Sequence, residues 1–478
     1  MSPTRAFCHS SHMRAFVSPA CGLSLLVGLL SAPFVHAGEL RVGAASVVIT
    51  PPNAIPMAGY YSTRLAEGTH DDLHAKAIVF EQDGERAALV ALDLVSLTRP
   101  TIEEARRIIA RTTGVPAAAV MISATHSHTG PLLQSDSRRH SAYGGDTDLA
   151  RTYTLALPGK IAEAVRLAEA ALTPAKLSAA SGREDSLPFN RRFVMRDGSV
   201  GWNAGKLNPN IVRPAGPIDP AVPVVYAETP AGQPLATYVN FAMHLDTVGG
   251  LKFSADYPFT LAQLLGRVKS PAMLTLFTIG CAGDINHVDV STKTPQKGAA
   301  EAARLGTVLA GEVLKTYARL APVATAAPRV RSALVPLPLA TIAAGDVDKA
   351  RALISRIGSK DDPKFLEKVW AFKALDVFGR DGKPLEVEVQ VIALGRNLAW
   401  VSLPGEVFVE LGLAIKAASP FKHTIIAELA NGSIGYIPTR RAYAEGNYEP
   451  VSARCAAGSG EQLVETALRL LREAHAGL

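Results

Sequence analysis

Cysteine is scarce in this chain. Only four cysteines occur in 478 residues, and two of them, Cys8 and Cys21, fall within the first 37 positions. No pair has the CxxC or zinc-finger spacing, which argues against a disulfide-rich scaffold and a cysteine-based zinc site. The other two, Cys281 and Cys455, either pair in an oxidising compartment or remain as free, buried thiols, and the sequence leaves both interpretations open.

The chain also lacks the features of three other classes of protein. Its formal net charge is +6, but no basic stripe is interleaved with aromatic residues, so we expect no nucleic-acid partner. It contains no internal repeat, which excludes a solenoid. Beyond the N-terminal segment no apolar run is long enough for a membrane helix, so we expect at most peripheral membrane contact. The apolar fraction of 48% favours a large globular core.

Residues 1–37 are predicted to be a signal peptide. Arg5 and Arg14 supply positive charge, the apolar stretch CGLSLLVGLL follows, and Val35 and Ala37 occupy the small-residue positions of a cleavage site. The apolar stretch is short for a bilayer, which favours cleavage after Ala37 over an uncleaved anchor. We therefore expect a mature protein that is periplasmic or secreted.

Hydrophobic periodicity beyond the leader predicts an α/β protein. Residues 75–81 and 87–92 form a predicted hairpin around Asp83-Gly84. A helix over 101–114 and a strand over 119–122 then give a βαβ-like order. Because such an order buries sheets beneath helices, we expect layered mixed β-sheets flanked by helices.

The rest of the chain continues this pattern, with two interruptions. The segment 186–223 is rich in Pro, Gly, Asn and Arg and is predicted to be a long functional loop. Residues 320–330, around APVATAAP, mark a possible soft joint within the mature chain, residues 38–478. Further strands are predicted over 223–228, 235–242, 274–279, 329–337 and 424–429, and further helices over 148–172, 257–268, 299–318, 346–357 and 362–376.

Histidines and carboxylates lie where predicted strands end. The segment ATHSHTGP places His126 and His128 on either side of one serine, so both imidazoles can point to the same side. YVNFAMHLDTVGG ends its apolar alternation at His244. In WVSLPGEVFVELG, Glu406 is expected to open a helix, and Glu410 competes with it as a ligand. Each residue alone is more often structural, but imidazole and carboxylate together are ligands that Zn²⁺ accepts.

The segment LFTIGCAGDINH breaks an apolar strand into small residues. Gly280–Gly283 would let the backbone approach a ligand closely. Asp284, Asn286 and His287 then either orient a ligand or a water, or form a tight turn with an Asp cap. A later polar segment, NGSIGYIPTRRAYAEGNYE, contains loop tyrosines that alone would indicate only ring packing.

Taken in order, these segments resemble the catalytic domain of the neutral (non-lysosomal) ceramidases, zinc amidohydrolases that cleave the N-acyl bond of ceramide. The resemblance runs from about residue 39 to 475 and rests on several motifs. These are VGAASVVITPP near the start, THxHxGP at Thr125–Pro131, NxxxH at Asn240 and His244, PGE at Pro404–Glu406, and YxPT…YE at Tyr436 and Tyr448. Because the motifs lie on both sides of the possible soft joint, the resemblance implies a single integrated catalytic unit.

The resemblance also implies one Zn²⁺ and a role for each matching residue. His128 and Tyr448 would contact the scissile amide and its oxyanion, and Arg191, in PFNRR, would contact the substrate. Asp284 is a further candidate for substrate binding. The implied metal ligands are His126, His244, Glu406 and Tyr436.

One motif departs from the family. The ceramidases have GDxSPN with a catalytic serine, whereas this chain has Asn286 in place of that serine and His287 in place of the proline. Asparagine cannot act as that hydroxyl, so we expect direct attack by zinc-activated water, whose pKa falls from about 15.7 to about 7. His128 or His287 would move the proton, Tyr448 would help to stabilise the oxyanion, and Asn286 remains a candidate catalytic residue.

The sequence therefore predicts an exported zinc-dependent hydrolase that cleaves the N-acyl bond of a ceramide-like or other small-molecule or lipid-like substrate. A zinc hydrolase of esters or lactones is the enzymatic alternative. The non-enzymatic alternative is a catalytically degenerate relative that binds lipid or glycan. Retention of all four implied ligands argues against the last, since each would cost free energy as an unpaired buried polar group without metal.

Overall fold

The computed structural model describes residues 10–17 and 38–478. Residues 10–17 are exposed and have no regular secondary structure, and the predicted cleavage site at Val35 and Ala37 lies outside the described residues. The chain from Ala37 to Leu478 forms a single unit. None of the helices in the described part of the chain is long and apolar enough to cross a membrane.

Helices and strands alternate along most of the chain. The helices are α1 (Arg99–Thr112), α2 (Arg138–Ala142), α3 (Asp148–Ala170), α4 (Tyr257–Val268), α5 (Ala299–Tyr317), α6 (Ala344–Ile354), α7 (Phe365–Phe378), α8 (Val409–Ala418), α9 (Arg440–Glu445), α10 (Tyr448–Ser452) and α11 (Ser459–Ala476). The strands are β1 (Arg41–Val48), β2 (Gly68–Thr69), β3 (His74–Gln82), β4 (Glu85–Leu92), β5 (Val120–Ala124), β6 (Thr173–Pro174), β7 (Lys176–Arg183), β8 (Phe189–Asn190), β9 (Arg192–Met195), β10 (Val200–Trp202), β11 (Ile211–Pro214), β12 (Ala221–Glu228), β13 (Pro234–Phe241), β14 (Lys252–Phe253), β15 (Leu274–Ile279), β16 (Ile285–Asn286), β17 (Ala321–Pro322), β18 (Arg329–Leu337), β19 (Leu385–Leu394), β20 (Leu398–Ser402), β21 (Glu406–Val407), β22 (His423–Ala427) and β23 (Tyr436–Ile437).

Three mixed sheets form the core. Their strand orders are β5-β4-β3-β1-β6, β15-β13-β12-β7-β17 and β18-β19-β20-β22. The first two sheets face each other, with α3 and α1 outside the first and α4 and α5 outside the second. The third sheet packs against α11, with α8 between that helix and β22. This architecture confirms the prediction of layered mixed sheets flanked by helices.

Each large sheet contains one pair of parallel strands, and these pairs end close together. The pairs are β4 with β5, β13 with β15, and β20 with β22. The amide of Ala124, at the end of β5, donates to the carbonyl of Leu429, just after β22, at 3.1 Å. The amide of Glu428 donates to the carbonyl of Ile279, at the end of β15, at 3.2 Å. The loops that leave these strands are therefore brought to one place, from which side chains of all three sheets can converge.

Two local predictions had opposite outcomes. The hairpin is confirmed: β3 and β4 are joined at Asp83 and Gly84, whose φ angles of 55° and 82° suit the twist of a tight two-residue turn. The prediction of one long loop over 186–223 is wrong, because β9, β10 and β11 form a small antiparallel sheet there. These strands are short and mostly half-buried or exposed, so they carry little apolar alternation for a sequence to reveal.

The two cysteines that the sequence left open are free thiols. Cys281 and Cys455 are both buried and make no disulfide within residues 38–478. They lie in the apolar core beneath the third sheet. They therefore behave as small apolar side chains there.

Candidate metal centre

Three histidines, His126, His128 and His244, lie close together, and the loop after β5 carries the first two. The amide of His126 donates to the carbonyl of Leu94 at 2.9 Å, and the amide of His128 donates to the carbonyl of Leu245 at 3.0 Å. The loop is thus held between the chain leaving the first sheet and the chain leaving the second. His126 has a φ of 78°. A left-handed conformation is uncommon for a residue with a side chain, and residues held in it cluster at functional sites.

Backbone carbonyls orient two imidazole rings. The Nδ1 atom of His126 lies 2.9 Å from the carbonyl oxygen of Val95, and that of His244 lies 2.8 Å from the carbonyl oxygen of Ala282. A carbonyl can only accept, so each Nδ1 carries the proton. The Nε2 atom of each ring then carries the lone pair, as in most metal-ligating histidines.

Glu406 and Tyr436 are neighbours on paired strands. Glu406 in β21 is in direct parallel register with Tyr436 in β23. The prediction that Glu406 opens a helix is wrong, because α8 begins only at Val409. The chain remains extended after Gly405 because β23 offers a pairing partner. This extended conformation allows the Glu406 carboxylate to lie beside the histidines.

The Glu406 carboxylate meets both oriented imidazoles. Its Oε2 atom lies 3.5 Å from Nε2 of His126 and 3.4 Å from Nε2 of His244. This oxygen is buried and accepts no hydrogen bond from any described residue. An ionised oxygen with no donor, facing two nitrogen lone pairs, is an arrangement that a bound cation would satisfy.

The spacing of the donor atoms fits a single small cation. The Nε2 atoms of His126 and His128 are 3.1 Å apart. Two ligands of a tetrahedral zinc with bonds of about 2.0–2.1 Å lie about 3.3 Å apart, close to all three separations. His126, His128 and His244 thus form a buried group that could hold a metal ion. The donor set fits Zn²⁺, and His128 is near enough to be either a ligand or a neighbour of the ligands.

A buried ion network supports the other side of the group. Arg191 donates from Nη2 to the Tyr436 hydroxyl at 3.1 Å and to the Gly283 carbonyl at 2.7 Å, and its Nη1 lies 3.1 Å from Nε2 of His244. Its Nε donates to the carboxylate of Glu449 at 2.9 Å. Because every nitrogen of this guanidinium is used within the protein, Arg191 fixes Tyr436 and lies against the candidate metal ligands.

Burial and neighbouring charge set the protonation states of the group. Burial lowers the pKa of His126 to about 4 and holds the pKa of His128 well below its usual value. Burial alone would raise the pKa of Glu406, but the adjacent His126 and His244 outweigh it and lower that pKa. Burial, together with the Glu406 charge, raises the pKa of Tyr436. At neutral pH the metal-free group therefore contains free-base imidazoles at His126 and His128, an ionised carboxylate and a protonated phenol.

Tyr448 lies beside Tyr436, with the ring centroids 5.3 Å apart. It is the first residue of α10, and the side chain of Asn447 caps that helix by accepting from the Tyr448 amide at 2.9 Å. Burial raises the pKa of Tyr448, so its hydroxyl carries a proton at neutral pH. Both tyrosines of the YxPT…YE segment are therefore brought to the same side of the group.

The structure uses Asp284 and Asn286 for internal hydrogen bonds. Asp284 accepts from the amide of Val409 at 2.9 Å and from the side chain of Asn190 at 2.8 Å, and burial raises its pKa to about 6. Asn286 donates to the side chain of Asn203 at 3.1 Å. Neither side chain hydrogen-bonds any of the implied metal ligands.

His287 is also engaged away from the other histidines. Its Nε2 lies 2.8 Å from the carbonyl oxygen of Gln296, and its Nδ1 lies 3.2 Å from a carboxylate oxygen of Asp246. Although burial opposes it, the Asp246 carboxylate raises the pKa of His287. A ring with both nitrogens occupied in this way is placed to hold a proton.

Sequence reasoning assigned no role to Asp246 or Glu449. Glu449 is fully buried and accepts from both Arg191 and Arg192, each at 2.9 Å. Its only sequence signal was its place in the YE motif beside Tyr448. Asp246 is two residues after His244 in the sequence, within a polar loop. Nothing in that loop indicates that Asp246 pairs with His287.

Close packing of two backbone segments explains the small residue at Gly283. A Cβ atom on Gly283 would lie 2.5 Å from the carbonyl oxygen of Glu406. The sequence predicted that the small residues at 280–283 let the backbone approach a ligand. The close approach is instead to the backbone that carries a candidate metal ligand.

The layered core and the converging imidazole, carboxylate and phenol groups define an α/β protein with a candidate mononuclear metal centre. In fold it is similar to neutral ceramidase from Pseudomonas aeruginosa, with a TM-score of 0.72 and 20% identity over 92% of this chain and 75% of that chain. A structure of a ceramidase complexed with C2 gives a TM-score of 0.69 and 18% identity over 92% of this chain and 76% of that chain. No protein-family model and no curated protein matches the sequence. The fold-level resemblance to the neutral ceramidases is thus confirmed.

Proposed function

We propose that this protein is an exported zinc-dependent hydrolase that cleaves the N-acyl bond of a ceramide-like or other lipid-like N-acyl substrate. The observation that carries the proposal is the convergence of the Nε2 atoms of His126 and His244 on one orphaned carboxylate oxygen of Glu406. The fold shared with neutral ceramidase supports an amide, and not another acyl linkage such as an ester, as the bond that is cleaved.

His126, His244, Glu406 and Tyr436 would hold the ion. Two imidazoles and one carboxylate are a frequent donor set for catalytic zinc. When bound, Zn²⁺ lowers the pKa of a coordinated water from about 15.7 to about 7 and so supplies a nucleophile at neutral pH. Arg191 holds Tyr436 in place through its hydrogen bond at 3.1 Å.

The remaining residues divide between proton movement and oxyanion binding. His128 has a neutral ring whose Nε2 lies 3.1 Å from that of His126, which suits it to take a proton from the attacking water and return it to the leaving amine. His287 is less suited, because both its nitrogens are already engaged. Tyr448 keeps its proton and would donate it in a hydrogen bond to the developing oxyanion.

Export forms part of the proposal and rests on residues 1–37. Their charge, apolar stretch and small-residue cleavage motif are typical of a signal peptide. Mass spectrometry of the protein recovered from its producing cells tests this part, with an N-terminus at Gly38 expected. A mature chain that retains the leader would contradict it.

The hydrolase proposal is tested by metal analysis combined with an activity panel. The purified chain is expected to contain zinc, to release the amine from N-acyl substrates in preference to the alcohol from matched esters, and to lose this activity with a chelator until zinc is restored. His126→Ala is expected to lose both zinc and hydrolysis. The matched control is His70→Ala, since His70 is exposed and, among the described residues, hydrogen-bonds only through its backbone amide.

Each alternative has a distinct outcome in the same panel. Faster cleavage of the esters would favour an esterase or a lactonase. A metal-free, inert protein would favour a binding function. Hydrolysis retained by a zinc-free His126→Ala variant would refute the proposed mechanism.

A further inference from the structure

An aromatic wall borders the candidate metal centre on the Tyr448 side. Trp202 stacks on Phe365 of α7, with centroids 5.6 Å apart and an interplanar angle of 9°. Both rings contact Tyr448, at centroid distances of 4.4 Å and 5.4 Å. Tyr61 extends the wall by its edge-on contact with Phe365 at 5.3 Å. A substrate whose carbonyl reaches Tyr448 must therefore lie against this apolar surface.

A guanidinium group lies at the end of the wall. Arg139, in α2, lies over the Tyr61 ring with its Cζ 5.0 Å from the centroid. Because Tyr61 contacts Phe365 and Phe365 contacts Tyr448, Arg139 is a cation at the end of the wall that reaches the candidate centre.

Within the described residues this cation has no carboxylate partner. In the described part of the chain the Arg139 guanidinium forms no ion pair with an aspartate or glutamate; its Nη2 lies 3.3 Å from Nε2 of His140, and the Tyr61 hydroxyl is a second hydrogen-bond partner. The nearby Arg454 is paired with Asp376 at 2.7 Å, so that acid is already used. A half-buried guanidinium that has only uncharged partners lacks a compensating negative charge, which favours binding of an anion at that point.

We propose that Arg139 binds a carboxylate of the substrate, so that the substrate is an N-acyl compound with an acid group near the scissile amide, as in an N-acyl amino acid. The planar fork of a guanidinium matches a carboxylate in two parallel hydrogen bonds. The apolar part of the same molecule would lie on the wall formed by Trp202, Phe365 and Tyr61. The inference rests on the proposed hydrolase function and narrows its substrate class.

The test compares two ligands that differ only in charge. N-hexanoylglycine carries the carboxylate and N-hexanoylglycinamide is its neutral counterpart. Their binding to the zinc-supplemented full chain is measured by calorimetry, and their hydrolysis by release of the amine. Charge-assisted hydrogen bonds predict that the acid binds about 10- to 100-fold more tightly than the amide.

Three variants locate the source of that preference. Arg139→Gln is expected to abolish it, and Arg139→Lys to keep part of it, because lysine retains the charge but not the fork. Arg138→Gln is the matched control: Arg138 is adjacent, exposed and makes no ion pair in the described part of the chain, so the preference should persist. Equal binding of the two ligands by the wild type, or a preference that survives Arg139→Gln, would overturn the inference. An Arg139-dependent preference without hydrolysis would instead refute the hydrolase proposal alone.

Discussion

Substitution of Gly283 tests whether close backbone packing positions Glu406 as a metal ligand. A Cβ atom there would lie 2.5 Å from the carbonyl oxygen of Glu406, whereas real Cβ atoms essentially never approach closer than 3.0 Å. In Gly283→Ala one of the two backbones must therefore move by about 0.5 Å, since backbone cannot rotate away as a side chain can. The bond lengths of a metal site tolerate deviations of only about 0.2 Å, so a shift of this size disturbs the ligand.

Two quantities are expected to change in Gly283→Ala. The affinity for Zn²⁺ should fall about 10- to 100-fold, the range found when groups that orient metal ligands are altered. The overpacked backbone should also reduce the free energy of unfolding of the metal-free protein by about 1–3 kcal/mol. The Gly283 carbonyl also holds Arg191 at 2.7 Å, so the shift would reach the side chain that fixes Tyr436.

Competition with a chromophoric chelator measures the affinity, and urea unfolding measures the stability. Gly311→Ala is the matched control, because no heavy atom lies within 4 Å of a Cβ at that position in α5. This control should bind Zn²⁺ like the wild type and gain about 0.5–1 kcal/mol in stability, since alanine is the better helix former. An unchanged zinc affinity in Gly283→Ala would show that Glu406 is not a ligand or is not held where the structure has it.

Three further predictions concern buried charges and protons. Glu449→Ala leaves two buried guanidinium groups without their carboxylate, so the free energy of unfolding in urea should fall by about 3–5 kcal/mol; an unchanged value would contradict the network. Burial lowers the pKa of His126 from 6.5 to about 4, so the unfolded state takes up a proton first as the pH falls. The metal-free protein should therefore lose up to about 3 kcal/mol between pH 6.5 and 4, and a His126→Asn variant should show a shallower dependence. Tyr448→Phe should lower kcat for amide hydrolysis by about 100- to 1,000-fold at unchanged zinc content, whereas full activity would exclude the hydroxyl from oxyanion binding.

Local sequence patterns predicted most of the large elements. The Asp83-Gly84 turn and the helix over 257–268 both match the structure, because each is determined by turn chemistry or by its own apolar periodicity. The small sheet within 186–223 was missed because its strands depend on pairing with one another more than on buried side chains. Glu406 was misplaced for the same reason, since β21 exists only because β23 lies beside it.

The convergence of the site was predictable only through the family resemblance. The motifs placed His126, His244, Glu406 and Tyr436 together, and the structure brings these segments to one point. The resemblance implied that Arg191 contacts the substrate. In the structure Arg191 pairs with Glu449, which lies 258 residues later in the sequence, and no local pattern reveals such a pairing. A buried charge is visible in a sequence only as a charge, and whether it faces solvent or another buried group is decided by the tertiary structure.

His126, His244 and Glu406 each follow a strand of a different sheet. A single ion held by these residues would therefore act as a cross-link among all three layers, and none of the layers could unfold without releasing it. Stability would then depend on the free zinc concentration through mass action. In a zinc-poor environment the free energy of unfolding would fall and the unfolded, protease-sensitive fraction would rise, so the lifetime of the protein would depend on local metal supply before any substrate was encountered.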